Sequence, residues 1–391
     1  RYTSDPTGQP DPNVNGIYNI GNTIGTGKVV YIGGSSSFVD VSLTNNTTYY
    51  YRVYAVDQAF NYSGAALTSG TTNTSVGVIR YYIDAIAGND NNSGTIASPW
   101  KNISKLNLMT LTPNTLVYLK CGSTWTGQKL KFRGSGSAAY PIVVDKYGTG
   151  ATPILAGNGL TGEAVVYLYN QQYIEINNLE ITNSPNGPVN SDFFVGLYQN
   201  GNNPLGADRR GVMVALDDYG TANHIYLKNL NIHHIKGQLG SGTTTVNGAI
   251  PKRTGGIFFT VLGNLEQTAT HSRFNDVLID RCNINYCENT GLAFDNEWNV
   301  YYPGGTEYAD WFVRRYSNIK VSNNNIHHIG KNAMIIRCTD ETGLIERNVC
   351  YETALGTTGN TMFSARAKGT VFQYNEGYFN RATTQTIDPG S

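Results

Sequence analysis

Acids and arginines near the ends of short apolar segments are the residues here whose types could do chemistry. Asp217, Asp295, Glu297, Asp340 and Asp388 supply carboxyls, and Arg337 and Arg366 supply fixed cations. Two carboxyls can cleave a glycosidic bond. A separation of about 5–5.5 Å gives retention of configuration, and about 6.5–9.5 Å gives inversion. A base beside a cation does different work. It removes the proton next to a uronate carboxylate whose charge the cation neutralises. Arg337 or Arg366, with His328 or Tyr286, fits that second scheme. Aromatic residues crowd one stretch, with Trp298, Tyr301, Tyr302 and Trp311 among them. Flat rings stack on sugar faces, so these four, with Arg366 and His328, are the expected substrate contacts.

Distant acids become neighbours only if the chain brings them into register, and the repeats say how. Six segments share one pattern, beginning with Tyr173-Ile-Glu-Ile-Asn-Asn-Leu-Glu-Ile181 and His224-Ile-Tyr-Leu-Lys-Asn-Leu-Asn-Ile232. Five are followed by a second short apolar segment such as Val212–Leu216 or Ala333–Ile336. No such strand makes a sheet alone, whereas stacked coils share one core. Leu179, Leu230, Cys282, Asn324, Asn348 and Asn375 align, and the last two intervals are 24 and 27 residues, one solenoid turn each. The change from apolar residue to asparagine predicts an internal amide ladder. Equivalent positions in successive turns lie ~4.8 Å apart. Aligned by eye, Leu216, Thr260, Asp295, Arg337 and Ala365 form one column, and Asp217, Val261, Asn296, Cys338 and Arg366 the next.

Composition sets the outer limits. There are 28 Lys+Arg against 28 Asp+Glu, and charged residues are only 14% of the chain. That balance argues against a nucleic-acid partner, which requires a basic face. Membrane insertion is not expected, since no apolar run reaches ~18 residues. The 44 glycines and 27 tyrosines favour strands and turns over helices. Five cysteines at irregular spacing, without a CxxC, give neither a zinc site nor a disulfide framework. Asn-Ile-His-His-Ile occurs at 231–235 and at 325–329, two turns apart, too far for a shared metal ion. No metal ligands or cofactor are assigned. Asp90-Asn-Asn-Ser-Gly94 offers oxygens for Ca²⁺, or simply a capped turn.

The segment Tyr81-Tyr-Ile-Asp-Ala-Ile-Ala-Gly-Asn-Asp90, followed by Ser98-Pro-Trp-Lys-Asn-Ile-Ser-Lys-Leu-Asn107, resembles the N-terminal signature of secreted bacterial right-handed parallel β-helix proteins. These form the pectate-lyase-like superfamily. The resemblance extends over roughly residues 80–391 and is similar to glycoside hydrolase family 141 and its relatives. It implies a first strand and then a short amphipathic helix capping the solenoid. Ser98 suits its N-cap, Pro99 its first turn, and Trp100, Ile103, Leu106 and Leu108 its apolar face. Upstream, Leu43, Thr47, Tyr49, Tyr51, Val53 and Ala55 alternate as a half-buried strand does. The run Leu43–Asp57 resembles one corner of a fibronectin type III domain, with too few residues ahead of it for a whole module.

These readings combine into one expectation. The chain is all-β. Residues 1–76 are the C-terminal part of a fibronectin type III sandwich plus a linker over Thr68–Ser75, and residues 77–391 are a parallel β-helix. Further domains of the same polypeptide are expected on both sides. The function expected first is cleavage of a polysaccharide by paired carboxylates in a groove along the solenoid, outside a bacterial cell. A non-catalytic surface adhesin or glycan-binding stalk is the second reading, and a polysaccharide lyase the third.

Overall fold

The computed structural model describes every residue except 42, 73–76, 163, 195–207, 238–253, 263–270, 297–314, 357–358 and 382–391. Glu297, Trp298, Tyr301, Tyr302, Trp311 and Asp388 therefore lie outside the described residues. The chain divides into two compact units, Arg1–Gly77 and Val78–Ser391.

The first unit pairs Thr23–Ile24 with Gly27–Lys28 and Thr48–Val53 with Ala66–Thr71, both antiparallel. Thr68–Thr71 is thus strand rather than linker. The alternating pattern buries Tyr49, but Val53 is exposed. The Tyr49 phenolic oxygen accepts the Thr44 backbone N–H at 2.9 Å, and Arg1 pairs with Asp40 at 3.0 Å.

The second unit is a parallel β-helix, right-handed as parallel crossovers almost always are. Each complete coil has three strands, one in each of three parallel sheets, A, B and C. Sheet A runs from Ile79–Ile83 to Val371–Gln373, sheet B from Thr124–Thr126 to Glu376–Asn380, and sheet C from Ala164–Tyr169 to Met362–Ala365. The repeated segment of the sequence is two strands, not one. Ile174–Asn177 lies in sheet A and Glu180–Asn183 in sheet B. Between them the chain turns sharply, because Asn178 is left-handed. Asn229, Arg281, Asn323, Arg347 and Tyr374 repeat that turn, all with φ of 52–57°.

The residue after each turn points inward, and the six aligned positions do stack. Asn324 donates from Nδ2 to Asn348 Oδ1 at 2.8 Å, and Asn348 from Nδ2 to Asn375 Oδ1 at 2.9 Å. The ladder sits within aliphatic columns such as Ile176, Leu227, Ile279, Val321 and Ile345, all fully buried. Burying each such side chain contributes ~1.5–3 kcal/mol. A glycine column, Gly211, Gly256 and Gly291, lets sheet C approach its neighbours closely. A Cβ on Gly256 would lie 2.5 Å from the Gly291 carbonyl oxygen and 2.6 Å from Ile284 Cγ2.

The N-terminal cap differs in detail from expectation. The helix spans Ile103–Asn107 with Asn102 at its N-cap, so Ser98 and Pro99 precede it. Ile103 and Leu106 are fully buried and Trp100 nearly so, but Leu108 is 75% exposed. Asp90 is a capping residue. Oδ1 accepts the backbone N–H groups of Lys101 and Asn102, and Oδ2 accepts Asn102 Nδ2 at 2.7 Å. Those bonds make Asp90 part of a capped turn. All five cysteines are buried free thiols.

Candidate active site

The outer face of sheet C carries two columns of side chains. One is Tyr167, Met213, Phe258, Ala293, Ile335 and Phe363. These are largely buried and form an apolar cluster of their own, separate from the interior core. The other column is Tyr169, Ala215, Thr260, Asp295, Arg337 and Ala365. Here the alignment by eye slips by one residue. Ala215, not Leu216, pairs with Thr260, and Leu216 pairs with Val261. Since side chains alternate across a strand, Leu216 turns into the core. Asp217 falls one place beyond the column assigned to it.

Within the polar column, Arg337 Nη1 donates to both oxygens of Asp295, at 2.9 and 3.0 Å. The pair is partly exposed, 25% at Asp295 and 19% at Arg337. The Arg337 guanidinium also lies over Phe363, 5.7 Å from the ring centroid. Beneath Asp295 the backbone is fixed from inside. The buried Tyr316 hydroxyl donates to the Asp295 carbonyl at 2.9 Å. Phe294 stacks on Phe259 at 4.8 Å, and Phe274 meets Tyr316 edge-on at 5.1 Å. A carboxylate is thus held at the edge of an apolar shelf by a cation and a rigid aromatic floor.

The other expected residues are dispersed. Asp217 stands two strand spacings across and two residues along from Asp295, roughly 12 Å apart along the backbone lattice. Its side chain accepts from the Tyr169 hydroxyl at 3.4 Å, on the strand lying away from Asp295. The two do not form a carboxylate pair. Asp340 accepts from Ser317 and Thr342 in the turn after sheet C. Burial opposes its ionisation, but these bonds, with Arg315 nearby, hold its carboxyl below the usual range. It is a turn-forming acid. Arg366 follows Ala365, in the same column as Cys338, and both residues are left-handed.

His328 is not beside Arg337. It belongs to sheet B, on another face of the prism. There a left-handed residue bulges from each of the last five strands, giving the column His234, Tyr286, His328, Glu352 and Phe379, with φ of 46–52°. Tyr286 stacks between His234 and His328, at 4.9 and 4.6 Å. His328 Nδ1 lies 3.0 Å from Glu352 and 2.7 Å from His327 Nδ1. One ligand atom from each of His327, His328 and Glu352 lies within 4.8 Å of the others, a spacing that could hold a metal ion. The same Nδ1–Nδ1 approach, 2.6 Å, recurs at His233 and His234, where Tyr286 takes the place of Glu352 in the next turn. The bulge itself therefore accounts for the close rings. Burial and a neighbouring imidazole push His234 and His327 down to about 4.

Glu288 is the acid that sequence reasoning missed. It lies at the corner between sheets B and C and is fully buried. Among the described residues, neither carboxyl oxygen has a hydrogen-bond partner of good geometry. Burial raises its pKa to about 7, opposed by the Lys236 charge and the Phe194 backbone N–H. Lys236 holds the equivalent corner one turn earlier, since the Glu288 N–H donates to the Ile235 carbonyl at 3.0 Å. A charged residue recurring at one corner column was the available signal. Glu288 cannot pair with Asp295. Thr290 and Asp295 alone are five residues apart on one strand, ~16 Å.

No protein-family model matches the chain. A curated relative, the lacto-N-biosidase of Bifidobacterium longum subsp. longum, is 26% identical over 386 residues, covering 82% of this chain and 24% of that protein. The crystal structure of a GH136 lacto-N-biosidase from Eubacterium ramulus matches with a TM-score of 0.60 and 23% identity, over 76% of this chain and 56% of that one. Its selenomethionine derivative gives 0.61 and 24% over 77% and 56%. The likeness is one of fold. The chain spans about a quarter of the curated relative and somewhat over half of the solved one.

Proposed function

We propose that this chain carries the β-helix of a glycoside hydrolase, with its substrate groove along the outer face of sheet C. The observation that carries the reading is the Asp295–Arg337 pair, 2.9 and 3.0 Å, at the edge of a shelf of apolar and aromatic side chains. Asp295 is the carboxylate that attacks or stabilises the sugar centre, and Arg337 orients it. The second carboxyl that hydrolysis requires is Glu297, two positions further along the sequence. Arg337 favours hydrolysis over elimination, because its charge is already matched by Asp295 rather than left for a uronate.

The relatives' name supports an oligosaccharide ending in lacto-N-biose as the first substrate to try. The same reading places the enzyme outside the cell, with further domains of the polypeptide around it. The bond between Tyr49 and Thr44 supports a fibronectin-like origin for the N-terminal unit. The test is to incubate the full-length polypeptide with an aryl lacto-N-bioside and with plant and algal polysaccharides. Reducing ends and unsaturated ends are scored separately. New reducing ends that vanish in Asp295→Asn are expected. Unsaturated products, or an activity indifferent to that substitution, would overturn the assignment.

A further inference from the structure

A second concave site lies on the outer face of sheet A, in the first coils. Register sets Tyr82 beside Tyr118, and Lys120 beside Tyr147. With Asp84 and Pro99 these side chains line a cavity of about 550 Å³. That volume falls within the ~300–1,000 Å³ of small-molecule sites. The strand Thr115–Lys120 is four strands from Arg273–Asp280, the sheet A strand of the Asp295 region, or ~19 Å along the axis, and it faces a different side of the prism. The cavity is therefore not part of the sheet C groove.

Its walls have a definite chemistry. Tyr82 and Tyr118 stack at 5.1 Å and 23°, and Tyr147 stands across Tyr82 at 5.1 Å and 81°. The result is an angled floor of ring carbons edged by phenolic oxygens. Lys120 Nζ lies 5.1 Å from the centre of the Tyr147 ring. Gly148 makes that position possible, because a Cβ there would stand 2.6 Å from Nζ. Asp84 is fixed by its own turn, Oδ1 accepting the N–H groups of Ile86 and Ala87 at 2.9 and 3.0 Å. Burial, with the charge of Asp84 adding to it, pushes the Tyr147 phenol up to about 12, so it remains a donor at neutral pH.

We propose that this cavity binds a neutral sugar unit, as a glycan-binding site separate from the Asp295 groove. A pyranose presents C–H patches and hydroxyls that both donate and accept. The cavity answers with aromatic carbon, an acceptor at Asp84 and donors at Lys120 and the tyrosines. One carboxylate and one ammonium leave it with no net charge. A phosphate or uronate would bring its own charge beside Asp84, which disfavours anionic ligands. The proposal rests on this wall chemistry and does not require the hydrolase reading.

The test is calorimetric titration of the full chain with lactose, N-acetyllactosamine and cellobiose, with digalacturonate as the acidic comparison. Saturable binding of at least one neutral probe is expected. It should weaken at least tenfold in Tyr118→Ala and in Lys120→Met, and be unchanged in Asp295→Asn. Lys120→Met keeps the side-chain stem, so it reads the site even if Tyr118→Ala folds poorly. Saturation-transfer NMR from the tyrosine rings to the bound sugar gives an independent readout. The proposal is overturned if no neutral probe binds, if digalacturonate binds more tightly, or if Lys120→Met leaves affinity intact. Loss of binding only in Asp295→Asn would assign it to the sheet C groove instead.

Discussion

Asn348 joins Asn324 above it to Asn375 below it, and in doing so closes gaps in the backbone as well. Its Oδ1 accepts both the N–H and the Nδ2 of Asn324, at 3.0 and 2.8 Å. Its Nδ2 donates to the Val321 carbonyl at 2.9 Å. The residue is fully buried. Asn348→Ala would orphan several buried polar groups at once, each costing about 1–3 kcal/mol. We expect a loss of about 3–5 kcal/mol in chemical denaturation. Asn348→Leu should recover only part of it. Leucine fills the same column at Leu179 and Leu230, but it cannot bond to Val321. A leucine variant as stable as the parent would mean that the ladder is packing, not hydrogen bonding.

The hydrolase reading makes Asp295 indispensable and Arg337 a positioning residue. Asp295→Asn should lower kcat by ~10³-fold or more while leaving the melting temperature within a few degrees. Arg337→Lys keeps a charge but loses the planar donor that holds both carboxylate oxygens. A fall of ~10-fold or more in kcat with KM little changed is expected. A rise in KM alone would make Arg337 a substrate contact.

Glu288 predicts a pH-dependent stability of unusual sign. Its folded pKa, about 7, stands above the ordinary carboxylate value because the site is buried. Folding therefore favours the protonated form. The associated stability is complete below the unfolded pKa and is lost as pH rises through about 7. Glu288→Gln should remove that loss, so the variant gains on the parent between pH 5 and 8. The gain is up to ~3 kcal/mol, at 1.36 kcal/mol per pKa unit. Parallel stability curves for the two proteins across that range would show Glu288 to be ionised in the fold throughout.

His234 and His327 act in the opposite sense. Both are pushed down to about 4, so folding disfavours their protonation. Their contribution is present above the unfolded value and is lost as pH falls from ~6.5 through 4. Thermal melts of His327→Gln should decline less steeply over that acid range than those of the parent. An unchanged slope would show that the ring titrates normally.

Much of the fold was legible because a solenoid writes its register into the sequence. Leu179, Leu230, Cys282, Asn324, Asn348 and Asn375 face one interior line, and their alignment alone placed the asparagine ladder. The three-sided coil was harder to read. The corner between sheets A and B depends on a left-handed residue, but Arg281, Arg347 and Tyr374 fill that place as readily as Asn178, Asn229 and Asn323. No glycine marks the bend. The site suffered most from a single slip. Val212–Leu216 is apolar on both faces, one side packed on the core and the other in the outer cluster, so periodicity could not say which residue joins the Asp295 column. Sequence distance also misled at His328, because it lies in sheet B and Arg337 in sheet C, on different faces of the prism. Glu288 was overlooked because an isolated acid in a corner reads as solvated until its burial is known.

The last six corners between sheets A and B are each two residues long, from Asn178–Leu179 to Tyr374–Asn375, whereas the two before them take three and six residues. By sequence count, longer connections lie before or after sheet C strands, at residues 184–209, 236–254, 262–272 and 297–316. Selection can therefore lengthen one of these connections or exchange another while the stacked strands keep their phase. Connection length and solenoid register are thus encoded in different parts of the chain. On the glycoside hydrolase reading, exchanging these four connections between relatives should change sugar preference while the stacked coils keep their register.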